Sequence, residues 1–161
     1  MDGFVQQHPT LAPGVPFENT TVGEQQFVVD FTIQQDTSTG NWWVIAYGVD
    51  KIGYWPKELF PHLANGASSV RYGGMASASP KGESPPMGSG QLPNIFYMQT
   101  CYFKFIQIIN SDNQKVEIDG KNFQVFADSK LCYNLEYYGD QGAVMEETFS
   151  FGGPGGNNCG N

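Results

Sequence analysis

Alternation of apolar and polar residues is the clearest pattern in the first half of this chain. Residues 26–35 place every second side chain from Phe27 to Ile33 on one apolar face, with polar residues on much of the other. This period of two predicts a half-buried strand. Residues 36–40 have turn-forming side chains, and residues 41–48 are aromatic and β-branched. The two segments are therefore predicted to form a β-hairpin.

A second pattern, apolar on both faces, covers residues 99–110. It is typical of a central strand that is covered on both sides, as in a β sandwich. A short helix of roughly two turns is predicted over residues 56–64, because Pro56 suits a first helical turn, although Pro61 limits its regularity. Further strands are predicted at residues 3–6, 51–55, 122–127, 131–138 and 147–151, with an extended segment at 69–76 and a long loop at 79–93.

These elements predict an all-β fold, a mostly antiparallel two-sheet β sandwich with one short helix, in a single domain over residues 1–161. Composition agrees, since 20 Gly, 10 Pro and 14% aromatic residues are typical of a turn-rich β protein. The net charge of −8 argues against a nucleic-acid partner or an anionic membrane surface. No apolar run is long enough to span a membrane, and residues 1–4 do not resemble a signal peptide.

Cysteine and histidine usage limits the chemistry of the chain. Cys101, Cys132 and Cys159 permit one disulfide and one remaining thiol in an oxidising compartment. The only histidines are His8 and His62, and no cysteines lie close together in sequence. We therefore expect neither a metal site nor a cofactor.

A set of motifs in a fixed order carries a family resemblance. The motifs are Gly3-Phe4-Val5-Gln6, Gly40-Asn41-Trp42-Trp43, Ile52-Gly53-Tyr54-Trp55-Pro56, Gly73-Gly74-Met75, Pro86-Met87-Gly88-Ser89-Gly90, and Gly152-Gly153-Pro154-Gly155-Gly156-Asn157-Asn158-Cys159. Together they resemble the catalytic domain of the neprosin family, plant secreted glutamic peptidases that cut at proline. The resemblance covers nearly all of the chain. It implies a secreted acid endopeptidase that acts on proline-containing peptides or proteins without a cofactor.

The same resemblance implies that catalysis is impaired. Family members have a catalytic glutamate directly after the paired glycines, where this chain has Met75. Their other catalytic glutamate belongs to a segment upstream of Gly3, together with the opening strands, and an activation segment precedes it. We therefore expect a truncated family domain in which no catalytic residue is intact. A glutamic peptidase needs two neighbouring carboxyl groups, one as general base and one as acid, and a thioether cannot replace either.

Other acids offer no replacement on sequence grounds. Glu83 lies in a loop, and Glu146 and Glu147 are neighbours that would point to opposite faces of a strand. Ser89 between two glycines lacks the context of a nucleophile elbow, and His62 has no recognisable partner. We therefore assign these side chains ordinary structural or surface roles.

Three further assignments come from the sequence and the resemblance. The family pattern implies a Cys132–Cys159 disulfide, which leaves Cys101 as a buried thiol. Asn19 begins the glycosylation sequon Asn19-Thr20-Thr21, which matters only if the chain is exported. The aromatic residues Trp42, Trp43, Tyr54 and Trp55 are candidates for lining a groove that holds a proline-rich peptide or a sugar. The alternatives to a peptidase are a non-catalytic peptide- or glycan-binding sandwich, or an incomplete gene model with no independent role.

Overall fold

The computed structural model describes residues 2–16, 24, 26–94, 96, 99–157 and 159. Regular structure in this part of the chain consists of antiparallel strands and short 3-10 turns, which confirms the predicted all-β fold class. The described residues divide into two compact units, one up to Val70 without Glu24, and one that contains Glu24 and the residues from Arg71 onward. The prediction of a single domain over residues 1–161 stays a prediction. No helix among the described residues is long and apolar enough to cross a membrane.

The first unit contains a four-stranded antiparallel sheet. Its strands are β1 (Val5–Gln6), β2 (Phe31–Gln35), β3 (Trp42–Ala46) and β4 (Asp50–Trp55), in the order β1-β4-β3-β2. The predicted hairpin is confirmed, with β2 paired to β3 from Phe31↔Ala46 to Gln35↔Trp42. The strand is shorter than predicted, because regular pairing begins at Phe31 rather than at residue 26.

Hydrogen bonds to one side chain shape the turn of this hairpin. Asp36 Oδ1 accepts hydrogen bonds from the Ser38 hydroxyl at 2.6 Å and from the Thr39 backbone N–H at 2.8 Å. These bonds favour the charged carboxylate, and they lower the pKa of Asp36 to about 2. The local chemistry of an Asx turn thus closes the β2–β3 connection.

A small apolar core lies on one face of this sheet. It consists of Val44, Ala46 and Ile52, against which Phe4 and Trp55 pack. The Phe4 and Trp55 rings meet edge to face with centroids 4.8 Å apart, a favoured geometry for aromatic pairs. A bulge follows Val44, so that Ile45 pairs with Lys51 and Ile52 still reaches the core.

The predicted helix over residues 56–64 takes the form of two 3-10 turns, Lys57–Leu59 and Pro61–Leu63. Pro61 starts the second turn and has no N–H to continue the hydrogen-bond pattern of the first. The predicted helical position is therefore right, and the helix type differs.

The second unit contains a three-stranded sheet and two strand pairs. The sheet consists of β6 (Cys101–Phe103), β10 (Glu147–Gly152) and β9 (Asn134–Asp140), with β10 in the centre. The pairs are β7 (Gln107–Ile109) with β8 (Lys115–Glu117), and β5 (Glu83–Ser84) with β11 (Gly156–Asn157). Phe103, Phe149 and Phe151 form an aromatic stack on one face of the sheet, with centroid separations of 5.0 and 5.4 Å from Phe103.

The opposite face of β10 is polar and fully buried at Thr148 and Ser150. The Tyr138 hydroxyl donates a hydrogen bond to the Asn94 carbonyl and lies 2.6 Å from the Ser150 hydroxyl. Thr148 donates to the Met145 carbonyl at 2.9 Å. Both buried hydroxyls of β10 therefore have a hydrogen-bond partner, which offsets the desolvation cost of burying them.

The prediction of one continuous strand over residues 99–110 is wrong. The chain breaks between β6 and β7, where Phe105 adopts a left-handed conformation with φ of 53°. Its backbone N–H donates to the Met145 carbonyl at 3.0 Å. The first half therefore pairs with β10 and the second with β8, a choice of partners that periodicity does not encode.

Two more strand predictions differ from the structure. The strand predicted at 122–127 is absent. Asp119 caps a 3-10 turn at Gly120–Asn122, and the chain leaves this turn as irregular backbone with Phe126 81% exposed. The strand predicted at 131–138 begins only at Asn134, since residues 130–132 form a turn closed by the Ser129 carbonyl. The segment predicted as extended at residues 69–76 is not part of any strand pairing among the described residues.

Candidate functional site

The segment Gly73-Gly74-Met75, which the resemblance marks as catalytic, runs alongside the aromatic stack of the second unit. Tyr72 anchors it, because its hydroxyl donates to the Gln107 carbonyl at 2.9 Å and its ring meets Phe103 edge to face. Gly74 lies so close to its neighbours that a Cβ there would be 2.8 Å from a Phe151 ring carbon and would also collide with Met87 Sδ. A glycine is therefore needed at this position for the chain to pass.

Met75 itself points into solvent, with 95% of its surface exposed. Its thioether carries no titratable proton and is only a weak hydrogen-bond acceptor. The position therefore lacks a group that can act as general acid or base.

A cavity of about 250 Å³ elsewhere in the second unit brings several carboxylates together. It is lined by Glu117 from the end of β8, Asp140 from the end of β9, and Glu146 and Glu147 at the start of β10, together with Gly142 and Ala143. The expectation that Glu146 and Glu147 point to opposite faces is wrong. Glu146 precedes β10 and has a φ of 50°, so strand alternation does not apply to it.

Neutral hydrogen-bond donors contact two of these carboxylates. The Tyr137 hydroxyl donates to Glu147 Oε2, and Gln107 Nε2 donates to Glu146 Oε2 at 3.4 Å. The pKa of Tyr137 is raised to about 12, first by burial of its phenol and then by the hydrogen bond and negative charge of Glu147. Asp119 and Asp140 add smaller contributions in the same direction.

Metal chemistry is not supported at this cavity. Within the described ranges, no three His, Cys, Asp or Glu side chains are arranged to hold a metal ion. Glu83, the remaining acid considered from sequence, is exposed on β5 and pairs with Asn157. The sequence does not predict the cavity residues Glu117 and Asp140, or Tyr137 and Gln107, which donate hydrogen bonds to the cavity glutamates. These residues come from separate strands, and no local motif joins them.

The four candidate aromatic residues of the first unit do not line one groove. Cross-strand pairing sets Trp42 opposite Trp55 and Trp43 opposite Tyr54, so each pair shares a face and the two faces are opposite. Trp55 belongs to the core face. The Trp43 and Tyr54 rings lie 4.8 Å apart at their centroids on the other face.

The core face bears an apolar groove of about 260 Å³. Its wall is the proline-containing segment from Leu11 to Pro16, and its floor includes Ile33, Val44, Ile52 and Trp55. Every side chain that lines it is uncharged. An uncharged groove with a tryptophan on its floor suits apolar parts of a peptide.

The remaining candidate residues have structural roles or lie outside the described chain. His8 Nδ1 accepts the Leu11 N–H at 2.9 Å, and the Ser89 hydroxyl donates to the Gln99 carbonyl at 2.8 Å. His62 is exposed on a 3-10 turn. The sequon asparagine Asn19 lies outside the described residues.

The cysteine pairing implied by the resemblance is confirmed. Cys132 and Cys159 form a disulfide with a Cα–Cα distance of 5.7 Å. Cys101 is free as predicted, but it is half-buried rather than buried. Its Sγ packs so closely on Gly88 that a Cβ at Gly88 would overlap it.

One comparison with known proteins bears on this arrangement. The Neprosin family model matches residues 1–154 of the 161-residue chain.

Proposed function

The chain belongs to the Neprosin family, and we propose that it is a peptidase-type domain that binds proline-containing peptides without hydrolysing them by the glutamic mechanism. The observation that carries the proposal is Met75. The family position after Gly73-Gly74 has a solvent-exposed thioether in place of a carboxyl group.

The chemical reason is the need for two cooperating acids. When two carboxyl groups lie close together, their pKa values separate, so that one is the base toward water and the other the acid toward the leaving nitrogen. With methionine at one of the two positions, a single proton-transfer step has no group to perform it. General acid or base catalysis by one group typically contributes a factor of about 10² to 10⁴ in rate.

Support for retained peptide binding comes from the apolar groove of the first unit. A proline side chain is apolar and its backbone is restricted, so it loses little conformational entropy when it docks on an aromatic residue. Trp55 supplies such a residue, and the groove has no charged lining that would disfavour burial. We further propose an extracellular location, supported by the Cys132–Cys159 disulfide, because disulfides persist in oxidising compartments.

The proposal is tested by measuring binding and cleavage with the same peptides. A proline-containing peptide and a copy with proline replaced by alanine are titrated into the protein, and the mixtures are analysed by mass spectrometry over an acidic to neutral pH series. We expect preferential binding of the proline peptide and no cleavage of either.

Two variants separate an unforeseen active site from contamination. Glu146→Gln and Glu147→Gln each neutralise one carboxylate of the acidic cavity while they keep the size of the side chain. Cleavage by the wild type that disappears in either variant would show that this cavity is an alternative catalytic pair, and the proposal would be wrong. Cleavage that persists unchanged in both would have to be traced to a copurified peptidase by repurification.

A further inference from the structure

The face of the first-unit sheet opposite the core presents a distinct set of side chains. Register pairs Thr32 with Ile45, Gln34 with Trp43, Ile45 with Lys51, and Trp43 with Tyr54. Residues directly opposite each other in an antiparallel pair share a face. Val5 of β1 pairs with Tyr54 and joins the same face. We call this set the outer aromatic face: Val5, Thr32, Gln34, Trp43, Ile45, Lys51 and Tyr54.

Two neighbouring rings and one cation dominate this face. The Trp43 and Tyr54 ring centroids are 4.8 Å apart with an interplanar angle of 40°. Lys51 Nζ lies 4.9 Å from the Trp43 ring centroid, within cation–π range. Lys51 is exposed, while both rings are half-buried, so the ammonium group can leave the ring and reach a ligand on its flexible stem.

Charge distinguishes the outer aromatic face from the rest of the chain. The sequence has 16 acidic residues against 8 basic ones, yet none of the seven side chains of the outer aromatic face is acidic. Lys51 is therefore the one charged side chain among the residues that define this face, and it lies beside the Trp43 ring. Thr32 and Gln34 add neutral hydrogen-bonding groups on the adjacent strand.

We propose that the outer aromatic face binds an acidic saccharide, a sugar chain that carries carboxylate groups. The apolar face of a sugar ring would stack on Tyr54 and Trp43, and its carboxylate would be placed near Lys51. A peptide carboxylate supplies the charge without the stacking surface, and a neutral sugar supplies the surface without the charge. This inference does not depend on the proposed peptide binding, because it concerns the opposite face of the sheet.

The test is a titration with an oligosaccharide of galacturonic acid, followed by amide NMR, alongside a neutral galactose oligosaccharide of the same length and polyglutamate. We expect the acidic oligosaccharide to shift the resonances of Lys51, Tyr54 and Trp43 and to bind more tightly than the other two. Raising the ionic strength is expected to weaken its binding and to reduce its advantage over the neutral sugar.

Variants then assign the two contributions. Lys51→Gln is expected to weaken binding of the acidic oligosaccharide by about two- to fivefold, the range for an exposed ion pair, and to abolish its preference over the neutral one. Lys57→Gln is the matched control, since it removes an exposed charge from a 3-10 turn of the same unit. Tyr54→Leu keeps an apolar side chain and is expected to weaken both saccharides.

Three results would overturn the inference. These are equal losses in the Lys51 and Lys57 variants, polyglutamate binding as tight as that of the acidic oligosaccharide, or the absence of shifts on the outer aromatic face. The first two would indicate general charge attraction. The third would show that the sugar does not use this face.

Discussion

Removal of the Cys132–Cys159 disulfide gives the largest stability change that we expect from a side-chain deletion in this chain. The two cysteines are 27 residues apart in sequence. In the loop-entropy picture, closing a loop of that length lowers the entropy of the unfolded chain by about 12 cal/mol/K, which is about 3.6 kcal/mol at room temperature. The double variant Cys132→Ser with Cys159→Ser is therefore expected to lose about that much free energy of unfolding.

The assay is equilibrium unfolding in urea, followed by tyrosine and tryptophan fluorescence and by circular dichroism. Cys101→Ser is the control, because Cys101 is not part of the disulfide, and it is expected to retain the wild-type dependence on reducing agent. The reduced wild type is expected to match the double variant. A loss below about 1 kcal/mol in the double variant would refute the reasoning, since it would mean that the bridge adds little restraint to the unfolded chain.

Three further predictions concern single side chains. Tyr137→Phe removes the hydrogen bond to Glu147. Because folding raises the pKa of Tyr137 from 10.0 to about 12, the protonated phenol contributes to the free energy of unfolding below pH 10. This contribution is lost as the pH rises through about 12. Alkaline unfolding of the variant is therefore expected to depend less on pH than that of the wild type, and identical curves would contradict the assignment. Asp36→Asn is expected to make the melting temperature less dependent on pH in the acid range. The depressed pKa of Asp36 stabilises the fold above pH 3.8, and this contribution is lost as the pH falls through about 2. An unchanged acid dependence in a pH series of thermal melts would argue against this assignment. Gly74→Ala is expected to lower the free energy of unfolding by about 1–3 kcal/mol, because the added methyl group overpacks the site. Met75→Ala alters an exposed side chain and is expected to change that free energy by less than about 0.5 kcal/mol. Equal effects of the two variants in urea unfolding would contradict the close approach at Gly74.

Local patterns predicted the parts of the fold that local physics controls. The β2–β3 hairpin follows from alternation and from turn chemistry at Asp36, and both are encoded within a few residues. The disulfide was available from the family resemblance. The proline at position 61 correctly limited the helix, which takes the form of 3-10 turns.

The same local patterns do not predict which strands pair when the partners are distant in sequence. Phe105 ends β6 in a left-handed conformation, so two strands with different partners replace one apolar run. Glu146 has a positive φ just before β10, which places two consecutive acids in one cavity. Single-sequence periodicity assumes regular backbone, and both errors occur where the backbone departs from it.

The aromatic candidates show an intermediate case. Sequence alternation correctly implied that Trp42 and Trp43 point to opposite faces, but it could not say which one faces the core. The register resolves this, because Trp42 is paired with Trp55 and Trp43 with Tyr54. The faces are thus fixed by pairing with β4 rather than by any property of the tryptophans themselves.

The central claim is that this chain does not hydrolyse peptides by the glutamic mechanism. Incubation of a peptide in water enriched in the heavy oxygen isotope tests it most directly. A proline-containing peptide is incubated with the purified protein at acidic pH, and the product carboxylates are examined by mass spectrometry, with an active glutamic peptidase as the positive control. The absence of an acid at position 75 predicts intact, unlabelled peptide after prolonged incubation. Labelled product that forms in proportion to protein concentration, and that is lost when Glu146 or Glu147 is replaced by glutamine, would contradict it.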